Sequence, residues 1–418
     1  MFSERTNWRL AQNRFTQAVE ETRAAEKRVL DLTASNPTRV GLEYESRKIL
    51  KALGSARALD YDPQAKGLHE AREAVAEYYR TEHGIHALDA EQIVLTTSTS
   101  EGYSFVFRLL CNAGDELLVP KPSYPLFEFL ADLQDVKLVP YPLIYDHGWQ
   151  MDFHSLEQAV SARTRGVVVV HPNNPTGSYV KAGEIAALNA FCRTRGLGLI
   201  VDEVFLDYPL DAREGNKRSL HAPMHRRSPM HGLGRDDNAQ VASVGSFAGN
   251  SEVLTFTLSG LSKISALPQM KVAWVATSGP APDVAEAMGR LEVIADTYLS
   301  INAPLQWAVP ELLGQRKNIQ KQLRARTRNN LSELDRRLAG QEACQRLAVE
   351  GGWYAVLRVP VTRSDEELAI ALVRETGVVV HPGHFYDFAK DGYLVLSLIT
   401  REDEFGEGVE KILEFLNG

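Results

Sequence analysis

The chain is poor in cysteine. Its 418 residues include three, Cys111, Cys192 and Cys344. They are odd in number, far apart and without metal-type spacing, which excludes a disulfide scaffold and fits reduced thiols in a cytoplasmic compartment. No apolar run reaches about 18 residues, the length of a membrane-spanning helix. The stretch from Met1 to Trp8 lacks the apolar core of a secretory signal. Positive charge is in deficit, with 46 Lys and Arg against 54 Asp and Glu and a net charge of −8. That mild acidity argues against nucleic acid as a partner. Internal repeats and low-complexity tracts are missing too. What is there is ordinary globular composition, 44% apolar and 24% charged. The length exceeds what one hydrophobic core supports, so two domains are expected.

From Ser46 onward, short β-branched runs alternate with helical patterns. Seven runs read as strands, at 93–97, 116–119, 136–140, 167–171, 197–201, 254–257 and 272–277. Gly166-Val167-Val168-Val169-Val170 is continuously apolar, the pattern of a sheet covered on both faces. Helical patterns at 102–111, 124–133, 155–161 and 183–195 lie between them. The alternation predicts an α/β fold with a mainly parallel seven-stranded sheet flanked by helices. After Pro282 a long helical region is broken at Pro304 and Pro310. Strands at 352–359, 378–381 and 393–398 and a final helix at 404–417 follow, as in a smaller α+β domain. The expected division is an N-terminal arm joining the small domain (1–45), a large domain (46–285), and an interdomain helix with the small C-terminal domain (286–418). Residues 209–240, rich in Gly, Pro, His and Arg, read as a solvated insertion rather than a functional flap.

Three motifs close apolar runs. In Leu258-Ser259-Gly260-Leu261-Ser262-Lys263 a lysine follows a buried strand. Partial desolvation there lowers its pKa and frees the amine to hold an aldehyde as an imine. Taken alone, such a lysine is more often a surface group. In His171-Pro172-Asn173-Asn174-Pro175-Thr176-Gly177 a tight turn aims an amide at the crevice where open α/β sheets bind ligands; a plain turn would use the same residues. In Ile200-Val201-Asp202-Glu203-Val204-Phe205 an acid ends a strand. Alone it reads as a helix cap before a buried counter-charge.

Together, and in this chain order, the three motifs resemble the class I and II aminotransferases, pyridoxal-phosphate enzymes of fold type I. The resemblance runs from about Asn36 to the C-terminus. It implies pyridoxal 5′-phosphate as cofactor, an amino donor and a 2-oxo acid as substrates, and a homodimer with the active site shared between subunits. Lys263 would form the Schiff base and move a proton between the substrate's Cα and the cofactor. Asp202 would keep the ring nitrogen protonated. Asn174 would bond the ring's O3′ and the substrate carboxylate. Tyr124 would stack on the ring, although a core aromatic is its plain alternative. Tyr61 would reach the neighbouring subunit's phosphate. The phosphate cup fits Thr97-Ser98-Thr99-Ser100-Glu101-Gly102, with hydroxyls from Ser98, Thr99 or Ser100 and the free N–H groups of a helix start. Ser98 and Glu101 also have capping-box spacing. Ser262 and Lys271 complete the cofactor set, Lys271 standing where the family has an arginine and lacking its bidentate fork.

Two further departures matter. Phe205 sits where a tyrosine donates to O3′, so the cofactor imine is expected to have a raised pKa. Val395, in Tyr393-Leu394-Val395-Leu396-Ser397-Leu398, stands where an arginine grips the substrate carboxylate. A charge-assisted hydrogen bond of that kind contributes about 1.5–3 kcal/mol, so another residue must supply it or the substrate lacks the group. Arg39 is the foremost candidate, ahead of Arg358 and the insertion's basic residues. No arginine near Asp296-Thr297-Tyr298 suits a second carboxylate, which argues against aspartate and glutamate. A lyase or decarboxylase could use the same constellation. A non-catalytic sensor fits less well, because no helix-turn-helix segment precedes the motifs.

Overall fold

In the computed structural model of the chain, residues 1–8, 10–125, 127–210 and 245–417 are described. Past Leu210 the expected insertion lies outside them. A two-residue strand comes first, β1 (Leu30–Asp31). Eight strands follow: β2 (Ile93–Thr96), β3 (Glu116–Lys121), β4 (Lys137–Tyr145), β5 (Trp149–Met151), β6 (Thr164–Val170), β7 (Gly198–Asp202), β8 (Thr255–Gly260) and β9 (Ala273–Ser278). They form one sheet in the order β2-β9-β8-β7-β6-β3-β4-β5. From β8 to β4 every pairing is parallel. β9 is antiparallel to both β2 and β8, so β2 runs with the parallel set. The expected count of seven becomes eight through β5, which folds back on β4. Three residues are too few to show a period in the sequence.

Helices cover both faces of this sheet, and the valines of β6 divide between them. Val168 packs with Phe105, Phe107 and Leu291 on one side. Val167 and Val169 pack with Leu188, Phe191 and Cys192 on the other. That alternation is why the run is apolar throughout.

Beyond the sheet come helices Ala281–Tyr298, Ala303–Gly314 and Arg316–Leu338. Pro304 opens its helix, where the missing N–H costs nothing. Pro310 lies inside the same helix without ending it, contrary to the expected break. Burial of Ala308, Val309, Leu312 and Leu313 with Tyr78 and Trp274 offsets the lost hydrogen bond. Strands β10 (Gln345–Arg346), β11 (Tyr354–Arg358), β12 (Val378–Val379), β13 (His381–Pro382) and β14 (Tyr393–Ser397) follow. A second, antiparallel sheet has the order β10-β11-β14-β13, and β1 pairs in parallel with β12. Leu30 and Leu32 therefore share a core with Leu334, Leu394, Leu396 and Phe405. Among the described residues no helix is long and apolar enough to cross a membrane.

The two sheets meet through an apolar layer. Phe205, Tyr208 and Ala266 come from the large sheet's edge, Trp353, Tyr354, Val356 and Val395 from the second sheet, and Ile319 and Leu323 from the long helix. Gly177 fastens the same junction, its carbonyl accepting from the N–H groups of Glu350 (3.1 Å) and Gly351 (2.9 Å). Its φ is +68°, and a Cβ there would fall on Val349 and 2.5 Å from the Gly351 carbonyl oxygen. Gly177→Ala should therefore cost at least ~1 kcal/mol, through backbone strain and the forced separation of the two segments. Urea unfolding should show a lowered midpoint with an unchanged slope.

Candidate active site

Because β2, β3, β6, β7 and β8 are parallel, their carboxyl ends lie on one edge of the sheet, and antiparallel β9 begins there. Ligands of open α/β sheets bind in the crevice outside such an edge. Tyr124 follows β3, Asn174 follows β6, Asp202 ends β7 and Lys263 follows β8. Thr97 to Ser100 follow β2, and Lys271 precedes β9. Nearly all the residues singled out in the sequence are thus brought to one place by strand direction.

Lys263 is the third residue of a four-residue helix, Leu261–Ile264. Its Nζ lies 5.1 Å from the centre of the Trp353 ring and 5.7 Å from that of Phe205. Burial brings its pKa down to about 8, while the Asp202 carboxylate acts in the opposite sense. A substantial fraction is therefore neutral amine near physiological pH. Asp202 is held by two hydrogen bonds. Val204 N–H donates to Oδ1 and the Tyr103 hydroxyl to Oδ2, both at 3.0 Å. Burial pushes its carboxyl pKa upward, against these bonds and the charge of Lys263. No helix starts at Asp202 among the described residues: the Val204 N–H closes a turn on one oxygen, and the Tyr103 hydroxyl fixes the other.

Asn174 is 9% exposed, and its Oδ1 has no hydrogen-bond partner among the described residues. Its neighbour Asn173 is spent on the turn, Oδ1 accepting from the Thr176 hydroxyl at 2.9 Å. Asn173 Nδ2 is likewise buried without a partner among the described residues, so this turn carries two unsatisfied amide atoms, each costly to bury. Tyr124 is 45% exposed at the edge of the crevice; burial raises its hydroxyl pKa, with Asp202 adding to the effect.

At the end of β2, Ser98 caps helix Thr99–Leu110, its hydroxyl accepting from Glu101 N–H at 3.1 Å. Glu101 in turn accepts from Thr97 N–H (2.7 Å) and the Thr97 hydroxyl (3.0 Å). The N–H groups of Thr99 and Ser100 lie in the first turn, where a helix has no partners for its donors. Lys271 is exposed with φ +51°, and Ser262 is half-buried beside Lys263.

Three of the expected residues are exposed. Tyr61 is 83% exposed and lines a separate cavity of ≈ 380 Å³ with Asp60, Leu299 and Ser300. Arg39 is exposed at the end of the turn Pro37–Arg39. Arg358 is exposed and donates to Gln345 Oε1 at 2.8 Å. Val395 is 1% exposed, pairs with Val356 and His381 and sits in the aromatic layer. No arginine takes its place in that layer. His381, beside it, bonds the Tyr386 hydroxyl at 3.0 Å, and burial holds its pKa down to about 4, so it too is neutral. Sequence reasoning missed Tyr103 and Trp353. Tyr103 sits one helical turn beyond Thr99, a spacing that points it back to the strand ends; Trp353 carries no local signal.

The family model for aminotransferase class I and II matches residues 27–412. Glutamate-pyruvate aminotransferase AlaA of Haemophilus influenzae is 23% identical over 93% of this chain and 91% of its own length. Alanine aminotransferase of Mycobacterium tuberculosis is 25% identical over 93% of this chain and 86% of its own. Among solved structures, an alanine aminotransferase from Pyrococcus furiosus superposes with a TM-score of 0.84 at 19% identity over 100% of both chains. An aminotransferase from Escherichia coli does so with 0.80 at 22% identity, over 100% of this chain and 98% of its own. These two likenesses concern the fold.

The electrostatics make a prediction that needs no ligand. In protein stripped of small molecules, reductive methylation of Lys263, followed by peptide mass spectrometry, should rise with pH through a midpoint near 8. Asp202→Asn removes the charge that stabilises the ammonium, so its midpoint should fall below the parent's. An unchanged or higher midpoint would show that the two groups are not coupled.

Proposed function

The chain belongs to the class I and II aminotransferases, and from that premise we propose that it holds pyridoxal 5′-phosphate in the crevice, anchored covalently by Lys263. It is an enzyme that moves an amino group between an amino acid or amine and a 2-oxo acid. One observation carries the cofactor assignment. Asn174, Asp202 and Lys263 stand at the ends of three adjacent parallel strands, β6, β7 and β8, with an unpartnered amide, a fixed carboxylate and a desolvated amine.

The residues fit the group. The cofactor, when bound, supplies a cationic ring that takes up the electron pair left as a bond to the substrate's amine-bearing carbon breaks. Asp202, anchored by Tyr103 and Val204, would pair with that ring's nitrogen and keep it protonated. The Asn174 amide would serve the ring's hydroxyl, and Tyr124 would stack on the ring. The first-turn N–H groups of Thr99 and Ser100, the hydroxyls of Ser98, Thr99, Ser100 and Ser262, and Lys271 serve the phosphate. Once the substrate's amine displaces it from the cofactor, Lys263 would be a free amine again and would move the proton at the substrate carbon. With a pKa near 8, its amine can both take and return a proton at neutral pH. The neutral layer around Val395 leaves the substrate carboxylate to Asn174 and, at the mouth, Arg39.

Leu59 (90% exposed), Tyr61 (83%), Tyr298 (50%) and Leu299 (45%) form an apolar surface around the Tyr61 cavity. A second copy of the chain covering it would make the homodimer and give Tyr61 its role. The limits at residues 46 and 285 and the cytoplasmic location belong to the same proposal.

Borohydride reduction of the cofactor-loaded protein should leave a pyridoxyl group on the Lys263 peptide. Lys263→Ala should lose the label and at least ~10²-fold in turnover. Donor amines should bleach absorbance near 430 nm in favour of 330 nm, with recovery requiring a 2-oxo acid. Product release without one would make the enzyme a lyase instead.

A further inference from the structure

The four-residue helix bearing Lys263 is short, and its own backbone bonds reach only Leu261 O, from Ser265 and Leu267 N–H, and Lys263 O, from Ala266 N–H. Three side chains from distant parts of the chain satisfy carbonyls of this turn. The Tyr208 hydroxyl donates to Lys263 O at 2.6 Å. Gln320 Nε2 donates to Ile264 O at 2.9 Å. The Tyr44 hydroxyl donates to Ala266 O at 2.9 Å. Tyr208 follows β7, Gln320 lies on the long helix Arg316–Leu338 and Tyr44 lies on the N-terminal segment, so three separate elements grip one turn.

The Gln320 side chain is itself fixed from behind. It is 3% exposed, and its Nε2 also donates to Asp207 Oδ2 at 2.6 Å. Asp207 is 7% exposed. It accepts from the Tyr78 hydroxyl at 3.1 Å and lies 3.2 Å from His83 Nε2. Its backbone carbonyl accepts from Arg324 Nε at 2.9 Å, one turn beyond Gln320 on the same helix. The grip therefore has a rigid base.

We infer that Gln320 and Tyr208, braced by Asp207, are positioning residues that set where the Lys263 amine stands in the crevice. A lysine side chain has four rotatable bonds, so its amine is placed only as well as its backbone is. Misplacement by about 1 Å can cost ~10²-fold in rate, and a site's geometry must hold to about 0.5 Å. The inference rests on the aminotransferase reading only for its kinetic part. Packing needs alone would be met by any buried side chain of similar size, whereas Tyr208, Gln320 and Tyr44 each deliver a donor to a carbonyl of the lysine turn.

The experiment compares Gln320→Met and Tyr208→Phe with the parent, each keeping the bulk and removing the donor. The first readout is the pH midpoint of Lys263 reductive methylation in cofactor-free protein. A loosened turn admits water to the amine, so the midpoint should rise by at least half a pH unit from the parent's value. The second is steady-state kinetics on the loaded enzyme, where kcat should fall ten- to a hundredfold with KM for the amino donor nearly unchanged. Variants that lose thermal stability yet keep the parent midpoint and a kcat within twofold would overturn the inference, leaving the bonds purely structural. If Gln320→Met does not fold, Tyr208→Phe, which leaves the Asp207 base intact, decides by the same two measures. The methylation readout needs neither cofactor nor substrate, so a failure of the amino-transfer reading would not be mistaken for a failure here.

Discussion

A primary amine that must be partly unprotonated at neutral pH has to be taken out of water, and most of this structure is arranged around that requirement. Lys263 emerges from the large sheet, but the rings beside its amine include Trp353 of the second sheet's approach as well as Phe205. Neither half of the chain desolvates the amine alone. The junction between the sheets, with Tyr208, Tyr354 and Val356 buried in it, is thus part of the chemistry as well as of the fold. Removing solvent lowers the cost of the neutral amine. Asp202 keeps the shift moderate by stabilising the ammonium, so the pKa stops near the working range instead of falling through it.

The same edge illustrates what an apolar run can convey. The valines of β6 and the strands beside it announce a sheet covered on both faces, and strands alternating with helices make such a sheet mainly parallel. Parallel strands in turn force Asn174, Asp202 and Lys263 to a common edge, although 28 residues separate the first pair and 61 the second. Periodicity and motif position were therefore enough to bring these three residues to one edge, while the roles expected of them came from the family resemblance. The antiparallel insertion of β9 between β2 and β8 does not disturb this, because its beginning, with Lys271, falls at the same edge.

What escaped the sequence shares a physical character: it depends on tertiary partners and has no local period. β5 is three residues long and exists because β4 offers it an edge. The helix around Pro310 persists because its other residues are buried against Tyr78 and Trp274, a compensation invisible in the local pattern. Gln320 sits in a helix whose composition is mostly charged and polar, where one more amide carries no signal. Its meaning comes only from the Ile264 carbonyl 56 positions away in the chain. Local pattern says as little about Arg39: its side chain is exposed, while Val40, the next residue, turns inward.

Charge also changes how the departures at Val395, Phe205 and Lys271 should be weighed. An arginine in the layer occupied by Val395, Trp353 and Tyr354 would be a buried cation within the same low-dielectric region as the Lys263 amine. Two like charges there would each disfavour the other's protonated form, pressing the amine's pKa down beyond what burial alone achieves. With Val395 and a neutral His381 in that place, Asp202 is the charged group that acts on Lys263 among the described residues. Phe205 adds no hydroxyl to compete for the amine and contributes an apolar face. Lys271, exposed in the first-turn neighbourhood of Thr99 and Ser100, keeps its positive charge at the solvent side. Of the three departures expected from the resemblance, only Val395 would change the charge of the crevice, since Phe205 stands for a neutral residue and Lys271 for another basic one.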